Sequence, residues 1–193
     1  MITCILLAAG LSERFGSPKA LASITGKTVI EHVQNTLLES HCDKIIVVLG
    51  AHAQQIHPYI FIHSRIRVVY NKHYNFGQTS SVQTAWQFID PSSEGLLQLP
   101  VDCPLIQPAT INKMIDHFKN ISPDILIPTY KNIKGHPPIF HRNLKSKILN
   151  LSLNDGLNSL FSDHPPQTLE IEDSGIIKSF NTPQEFDDIK KPC

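Results

Sequence analysis

The stretch that most constrains this chain lies at its start. Residues 2–7 (Ile-Thr-Cys-Ile-Leu-Leu) form a short apolar run, the pattern of a strand covered on both faces. At Ala8 the side chains shrink, and Gly10 and Gly16 bracket a loop carrying Ser12, Arg14 and Lys19. Small residues let backbone N–H groups approach an anion, and Arg and Lys add positive charge. A strand opening into such a loop is suited to a polyphosphate. Lys plus Arg and Asp plus Glu are both 17, so no global field favours nucleic acid or an anionic membrane. An anion site must be a local concentration of charge.

The rest of the chain alternates strand and helix signals. Thr28 and Glu31 have capping-box spacing, and Val29, Val33 and Leu37 follow helical periodicity. Residues 44–50 read as a second buried strand, 53–61 as a short helix and 66–70 as a third strand. A polar insert, residues 71–77, meets a helix start crowded with Gln78, Thr79, Ser80 and Ser81. Residues 95–101 are another core strand, with Asp102 just past its end. A helix over 108–120 and a strand over 124–128 follow. Residues 134–140 then turn through a Gly-His-Pro-Pro loop into an apolar strand. A polar helical region around Asp155-Gly156, strands over 167–172 and 175–180, and a helix over 183–189 complete the chain.

This alternation predicts a single α/β domain over residues 1–193, a Rossmann-like three-layer sandwich with a mostly parallel sheet. Ligands of such sheets bind outside the carboxyl ends of the strands. The Ala8–Lys19 loop, residues 71–81, Asp102 and Asn181 all occupy such ends in this reading, so distant segments converge on one rim.

Composition excludes other classes. A hydrophobic fraction of 41% with 18% charged residues is ordinary for a globular chain. Cys4, Cys42, Cys103 and Cys193 are far apart in sequence, with no CxxC pair, and read as reduced thiols in a cytoplasmic protein. The N-terminal run lacks the basic start of a signal peptide, and no run approaches the roughly 20 apolar residues of a membrane helix. Neither a nucleic acid nor a membrane is an expected partner.

The loop is not a Walker A loop, GxxxxGK[ST], and lacks the GxGxxG of a dinucleotide site. Residues 7–19, Leu-Ala-Ala-Gly-Leu-Ser-Glu-Arg-Phe-Gly-Ser-Pro-Lys, closely resemble the LxAGxSxRxGxxK signature of the molybdenum cofactor nucleotidyltransferases and their relatives. Asn71 followed by residues 77–82 (Gly-Gln-Thr-Ser-Ser-Val) resembles the family's GxSSS segment. Val101-Asp102-Cys103-Pro104 resembles its metal-binding D-x-P motif, Gly135-His136-Pro137 its GHP loop, and Asn181-Thr182-Pro183 its C-terminal turn. The resemblance covers nearly the whole chain and implies a fold of the nucleotide-diphospho-sugar transferase type.

It implies transfer of a nucleoside monophosphate from a triphosphate to a phosphorylated acceptor, with release of pyrophosphate. The Ala-Ala-Gly loop and the GHP loop point to the cytidylyltransferase branch, hence CTP and a molybdopterin acceptor. Arg14, Lys19 and Asp102 are then the catalytic residues. Leu7, Ala8, Ala9, Gly10, Ser12, Arg14, Lys19, Asn71, Gln78, Ser80 and Ser81 would bind nucleotide, and Gly135 and His136 the acceptor. Asp102 and Asn181 would hold Mg²⁺, a hard cation taking one or two protein carboxylates. A molybdoenzyme is a possible partner receiving the product.

Plainer readings stand beside these. Ser80 and Ser81 fit helix capping as well as ligand contact, Asp102 fits a turn, and His136 fits a loop bend. Cys103 and Trp86 read as packing. Two departures separate the chain from the cytidylyltransferase pattern. Asn181 stands where the cytidylyltransferase branch carries Asp; the resemblance gives Asn in this turn to the guanylyltransferase branch. Residues 154–158, Asn-Asp-Gly-Leu-Asn, lack the Arg of the family's GDxGAR segment. The alternatives are the same chemistry on another small phosphorylated metabolite, or a non-catalytic nucleotide-binding chaperone. An NAD-dependent oxidoreductase ranks last, for want of the glycine fingerprint.

Overall fold

The computed structural model describes residues 1–190; residues 191–193, Cys193 among them, lie outside the described residues. Strand β1 (Ile2–Ala8) is buried along its whole length. It runs parallel to β4 (Lys44–Leu49) on one side and to β6 (Gly95–Pro100) on the other. Between β1 and β4 lie a two-stranded hairpin, β2 (Ser23–Ile24) and β3 (Lys27–Thr28), and helix α1 (Val29–Glu39). Strand β5 (Ile66–Tyr70) extends the sheet in parallel beyond β4. The other half holds β7 (Ile125–Tyr130), β8 (Ile133–Lys134), β9 (Ile139–His141) and β10 (Gln167–Glu170). The sheet order is β10-β7-β9-β6-β1-β4-β5, with β8 paired to β7. Strand β9 lies antiparallel between β6 and β7, so the sheet is mostly, not wholly, parallel.

Side chains alternating along β1 feed two cores. Cys4, Leu6 and Ala8 join a cluster with Val29, Val33 and Leu37 of α1 and Ile111, Met114, Ile115 and Phe118 of α4 (Pro108–Ile121). Ile5, Leu7 and Ala9 join a second cluster with Val82, Ala85 and Trp86 of α3 (Gln78–Trp86) and Ile148 of α5 (Lys145–Leu149). Helices therefore cover both faces, giving the three layers the alternation predicts. The short α2 (Ala53–Ile56) continues as a tighter turn, His57–Tyr59, where the sequence pattern predicts one helix over 53–61. The last helix, α6, spans Pro183–Lys190.

The capping box is present: the Thr28 hydroxyl accepts from the Glu31 backbone N–H, and the Glu31 carboxylate accepts from the Thr28 N–H at 2.7 Å. Trp86 and Cys103 are buried in the core, in line with their reading as packing residues. Cys4, Cys42 and Cys103 are free buried thiols, and burial pushes the Cys103 thiol well above its usual range. Among the described residues no helix is long and apolar enough to cross a membrane.

One predicted strand is absent. Residues 175–180 form no strand; Ser174–Ile177 makes a tight helical turn and the chain leaves it irregular. The Asp173 carboxylate caps this turn, accepting from the Gly175 N–H at 2.8 Å, and also accepts from the Gln107 N–H and the Thr110 hydroxyl. Side-chain capping overrides the β-branched pattern Ile176-Ile177. Asn181 consequently follows an irregular stretch, not a strand, and the backbone hydrogen bond from Phe180 N to Asp102 O at 3.3 Å ties it to the rim.

Candidate active site

The loop after β1 hangs from the end of β4. The Ala51 N–H donates to Ala9 O at 3.1 Å, and the His52 imidazole bonds Leu11 O at 2.9 Å. Within the loop, Glu13–Phe15 makes one tight turn closed on Ser12 O, from Phe15 N at 3.0 Å and Gly16 N at 3.1 Å. The Ser12 hydroxyl accepts from the Lys19 N–H at 3.2 Å, which fixes the base of the Lys19 side chain.

This loop forms one wall of a cavity of about 330 Å³ on the rim, within the range of small-molecule sites. The cavity brings together Leu7, Ala8, Ala9, Gly10, Ser12, Arg14 and Lys19 with Gln78, Ser81, Asp102 and Asn181. Arg14 is exposed and, among the described residues, makes no hydrogen bond or ion pair. Its guanidinium is available to an anion.

Lys19 is fully engaged. Its ammonium donates to Asp102 Oδ2 at 2.9 Å, to Asn181 Oδ1 at 2.9 Å and to the Phe180 carbonyl at 3.1 Å. The Lys19 and Asp102 side chains are only 15% and 20% exposed. Three oxygens from two distant segments thus converge on one positive charge. Oxygen-only donors of this kind suit a hard cation, and the ammonium marks the point where they meet.

Four predicted residues stand behind or beside the cavity instead of lining it. Asn71 is buried, and its amide donates to the Ser80 and Ser81 hydroxyls at 2.8 and 3.0 Å and accepts from the His73 N–H. Ser80 donates in turn to His73 O and Gly77 O. The cap position of α3 is Gly77 and no side chain caps it, so these hydroxyls fasten the 71–77 segment to α3. Gly135 packs so closely on the Ser174–Ile177 turn that a Cβ there would lie 2.4 Å from Ile176 O, and the next N–H, of His136, donates to that carbonyl at 2.8 Å. Burial pushes the His136 imidazole below its ordinary pKa, against an opposing pull from the Asp102 carboxylate. Its Nδ1 is buried without a partner. His136 is therefore a neutral group near Asp102.

Sequence reasoning missed three contributors. Tyr74, inside the insert read only as polar, and Gly77, quoted in the GxSSS-like segment but given no site role, line the cavity. Phe15 packs edge-on against Phe180 and Phe186, ring centroids 5.3 and 5.6 Å away, binding the loop to the segment carrying Asn181. No spacing in the sequence signals that triad. The Thr79 hydroxyl also donates to Asp155 O at 2.6 Å, setting the 154–158 segment beside the start of α3.

Comparison with known proteins agrees with this geometry. Residues 4–168 match the model of the MobA-like NTP transferase domain. The chain is 27% identical over 192 residues to the molybdenum cofactor cytidylyltransferase of Escherichia coli K12, covering 96% of this chain and 93% of that protein. It is 26% identical over 186 residues to the nicotine blue oxidoreductase of Paenarthrobacter nicotinovorans, covering 89% of this chain and 86% of that protein. Among solved structures, Rv0371c of Mycobacterium tuberculosis H37Rv superposes with a TM-score of 0.87 at 24% identity, covering 100% of both chains. Its complex with manganese superposes with a TM-score of 0.82 at 23% identity, covering 100% of this chain and 99% of that one. With the loop signature, the sheet and the rim cavity in place, the chain belongs to the MobA-like NTP transferase domain family and is a nucleotidyltransferase.

Proposed function

We propose that the chain transfers CMP from CTP to the phosphate of a molybdopterin-type acceptor, releasing pyrophosphate, with Mg²⁺ held by Asp102 and Asn181. The observation that carries this reading is the pairing, in one cavity, of an unengaged Arg14 with the oxygen cluster gathered around Lys19. An anion site and a hard-cation site side by side are what a metal–triphosphate needs.

In the proposed reaction an acceptor phosphate oxygen attacks the α-phosphorus, and the bond to the β-phosphate oxygen breaks. Pyrophosphate leaves with the electron pair. No side chain forms a covalent intermediate, so positioning and charge stabilisation supply the catalysis. The Arg14 fork grips the β- and γ-phosphates, and Lys19 places a point charge beside the α-phosphate. The backbone of residues 7–10, with Ser12, Gln78 and Ser81, cradles the nucleoside. Asn71 and Ser80 act through that wall, by holding the start of α3. Gly135 and His136 border the acceptor side, where a neutral imidazole serves as a hydrogen-bond partner and not as a cation. The bound metal would neutralise charge on the triphosphate. A resolved manganese complex of the Rv0371c structure supports a divalent ion in this fold.

A second reading keeps the chemistry and changes the acceptor to another small phosphorylated metabolite. The 154–158 segment favours it, because it offers Asn154 and Asn158 and no arginine. The test is pyrophosphate release from CTP or GTP, with and without molybdenum-loaded pterin, with the product identified by mass. Pterin-dependent release and a cytidine dinucleotide support the proposal. Release with GTP alone refutes the base choice, release with a different phosphorylated acceptor supports the second reading, and binding without turnover supports a nucleotide-binding chaperone.

A further inference from the structure

We propose that Lys19 is the resident cation of the Asp102–Asn181–Phe180 oxygen cluster, and that a divalent ion takes those oxygens only once a triphosphate has drawn the ammonium away. This deepens the proposed function and rests on it for the identity of the triphosphate. A lysine ammonium has three protons, and here each has its own oxygen: Asp102 Oδ2 at 2.9 Å, Asn181 Oδ1 at 2.9 Å and Phe180 O at 3.1 Å. The ammonium has no unused donor.

The charge count makes the cluster closed to a free dication. Asp102 contributes one negative charge and Lys19 cancels it, while Asn181 and the Phe180 carbonyl are neutral. A second carboxylate at position 181 would leave a net negative charge for a metal; the amide does not. A divalent ion arriving alone therefore meets no net charge on the three ligands and Lys19 taken together, with the nearby Glu185 carboxylate already committed to the Asn181 and Thr182 N–H groups, and an ammonium already at the convergence point. The cluster is also partly sheltered from water, which limits screening of that repulsion.

A triphosphate changes the balance. Lys19 lines the same cavity as Arg14 and the residue 7–10 backbone, so phosphate oxygens entering there compete directly for the ammonium. The side chain can swing while its backbone stays put, because the Lys19 N–H remains pinned to Ser12 Oγ. The ammonium sits 5.8 Å from the centre of the Phe180 ring, and Phe180 itself is buried against Phe15 and Phe186. The Phe180 carbonyl is thereby held in place when the ammonium departs. Phosphate binding and exposure of the metal ligands become one event, and the metal can enter only together with the nucleotide.

Two measurements test this. The first is Mn²⁺ binding to nucleotide-free protein by electron paramagnetic resonance. Lys19→Met should bind Mn²⁺ at least about tenfold more tightly than the wild type, and adding Asp102→Asn to it should abolish the gain. Equal Mn²⁺ affinity of the wild type and Lys19→Met overturns the proposal. The second uses the wild type alone and is independent of how the variant folds. The Lys19 ammonium resonance, in protein carrying ¹⁵N-labelled lysine, should be unmoved by millimolar Mg²⁺ and should shift on adding metal-free α,β-methylene-CTP. Displacement by Mg²⁺ alone overturns it. Failure of every triphosphate to bind would instead refute the proposed function, and the nucleotide-free Mn²⁺ comparison would then decide whether Lys19 blocks the metal ligands.

Discussion

Gly50, at the end of β4, supports the phosphate loop by having no side chain. A Cβ there would lie 2.6 Å from Ala9 O, 2.7 Å from Tyr74 Cβ and 2.9 Å from Ala9 Cβ. Comfortable carbon contacts are about 3.5–4.0 Å, so Gly50→Ala forces the loop or the Tyr74 segment outward by roughly 1 Å. Both line the cavity. Overpacking of this kind costs about 1–3 kcal/mol, and strain on the neighbouring Ala51 N–Ala9 O hydrogen bond adds up to about 1 kcal/mol. Together these come to about 1–4 kcal/mol, and at about 2–4 °C per kcal/mol for a chain of this size the melting temperature should fall by roughly 2–16 °C. If the distorted loop binds triphosphate about tenfold more weakly, the ligand-induced rise loses a further 1.4 kcal/mol or so, or about 3–6 °C. Gly95→Ala is the control. Its Cβ would meet the Phe118 ring at 2.8 Å and Ile2 Cδ1 at 3.1 Å, at the other end of the sheet. Thermal unfolding with and without CTP and Mg²⁺ reads both effects. Gly95→Ala should lower the melting point yet keep the full nucleotide-induced rise. If Gly50→Ala keeps that rise as well, the loop does not depend on this close approach and the reasoning fails.

Further outcomes follow from other contacts. Asp102→Ala should abolish pyrophosphate release while leaving the far-ultraviolet circular dichroism spectrum unchanged; surviving activity would put the metal elsewhere. Thr28→Ala removes the capping box of α1 and should cost about 0.5–2 kcal/mol in denaturant unfolding. The Thr28 hydroxyl and N–H hold the Glu31 carboxylate below its usual range. That contribution is present above the unfolded-state value of about 4.3 and is lost as pH falls through the depressed one, so the stability gap between the wild type and Thr28→Ala should narrow at acid pH to what the Glu31 N–H to Thr28 hydroxyl bond contributes. Because burial lowers the His136 pKa, the unfolded chain binds that proton more readily. Stability from this group is complete above about pH 6.5 and declines as pH falls through the lowered value; His136→Gln should flatten that part of the profile, and an unchanged slope would show that other groups carry it.

Features carried by local patterns were legible in the sequence. An apolar run ending in small residues defines β1 and its loop, and Thr28 with Glu31 defines the start of α1, because each depends on neighbours a few residues apart. The strand expected over 175–180 failed for a non-local reason: Asp173 commits its carboxylate to Gly175, Gln107 and Thr110 and bends the chain into a turn. The site followed the same division. Motif residues of the loop, with Asp102 and Asn181, meet in one cavity, but the role of Asn71 and Ser80 as a brace emerges only when their hydrogen bonds are seen. The contact of Phe15 with Phe180 and Phe186 joins the two ends of the chain, and no periodicity can announce it. Antiparallel β9 was likewise unreadable, since strand direction depends on how the chain returns and not on composition.

The central claim is that the rim cavity binds a nucleoside triphosphate through the loop after β1. Calorimetric titration of α,β-methylene-CTP with Mg²⁺ into the wild type and Arg14→Ala tests it most directly. Arg14 has no other partner among the described residues, so its loss should leave stability unchanged and remove charge-assisted hydrogen bonds worth about 1.5–3 kcal/mol, roughly a 10- to 150-fold weakening. One site per chain in the wild type, weakened to that extent in Arg14→Ala, is the predicted result. Equal affinity in the two proteins, or no binding to the wild type, would contradict the account.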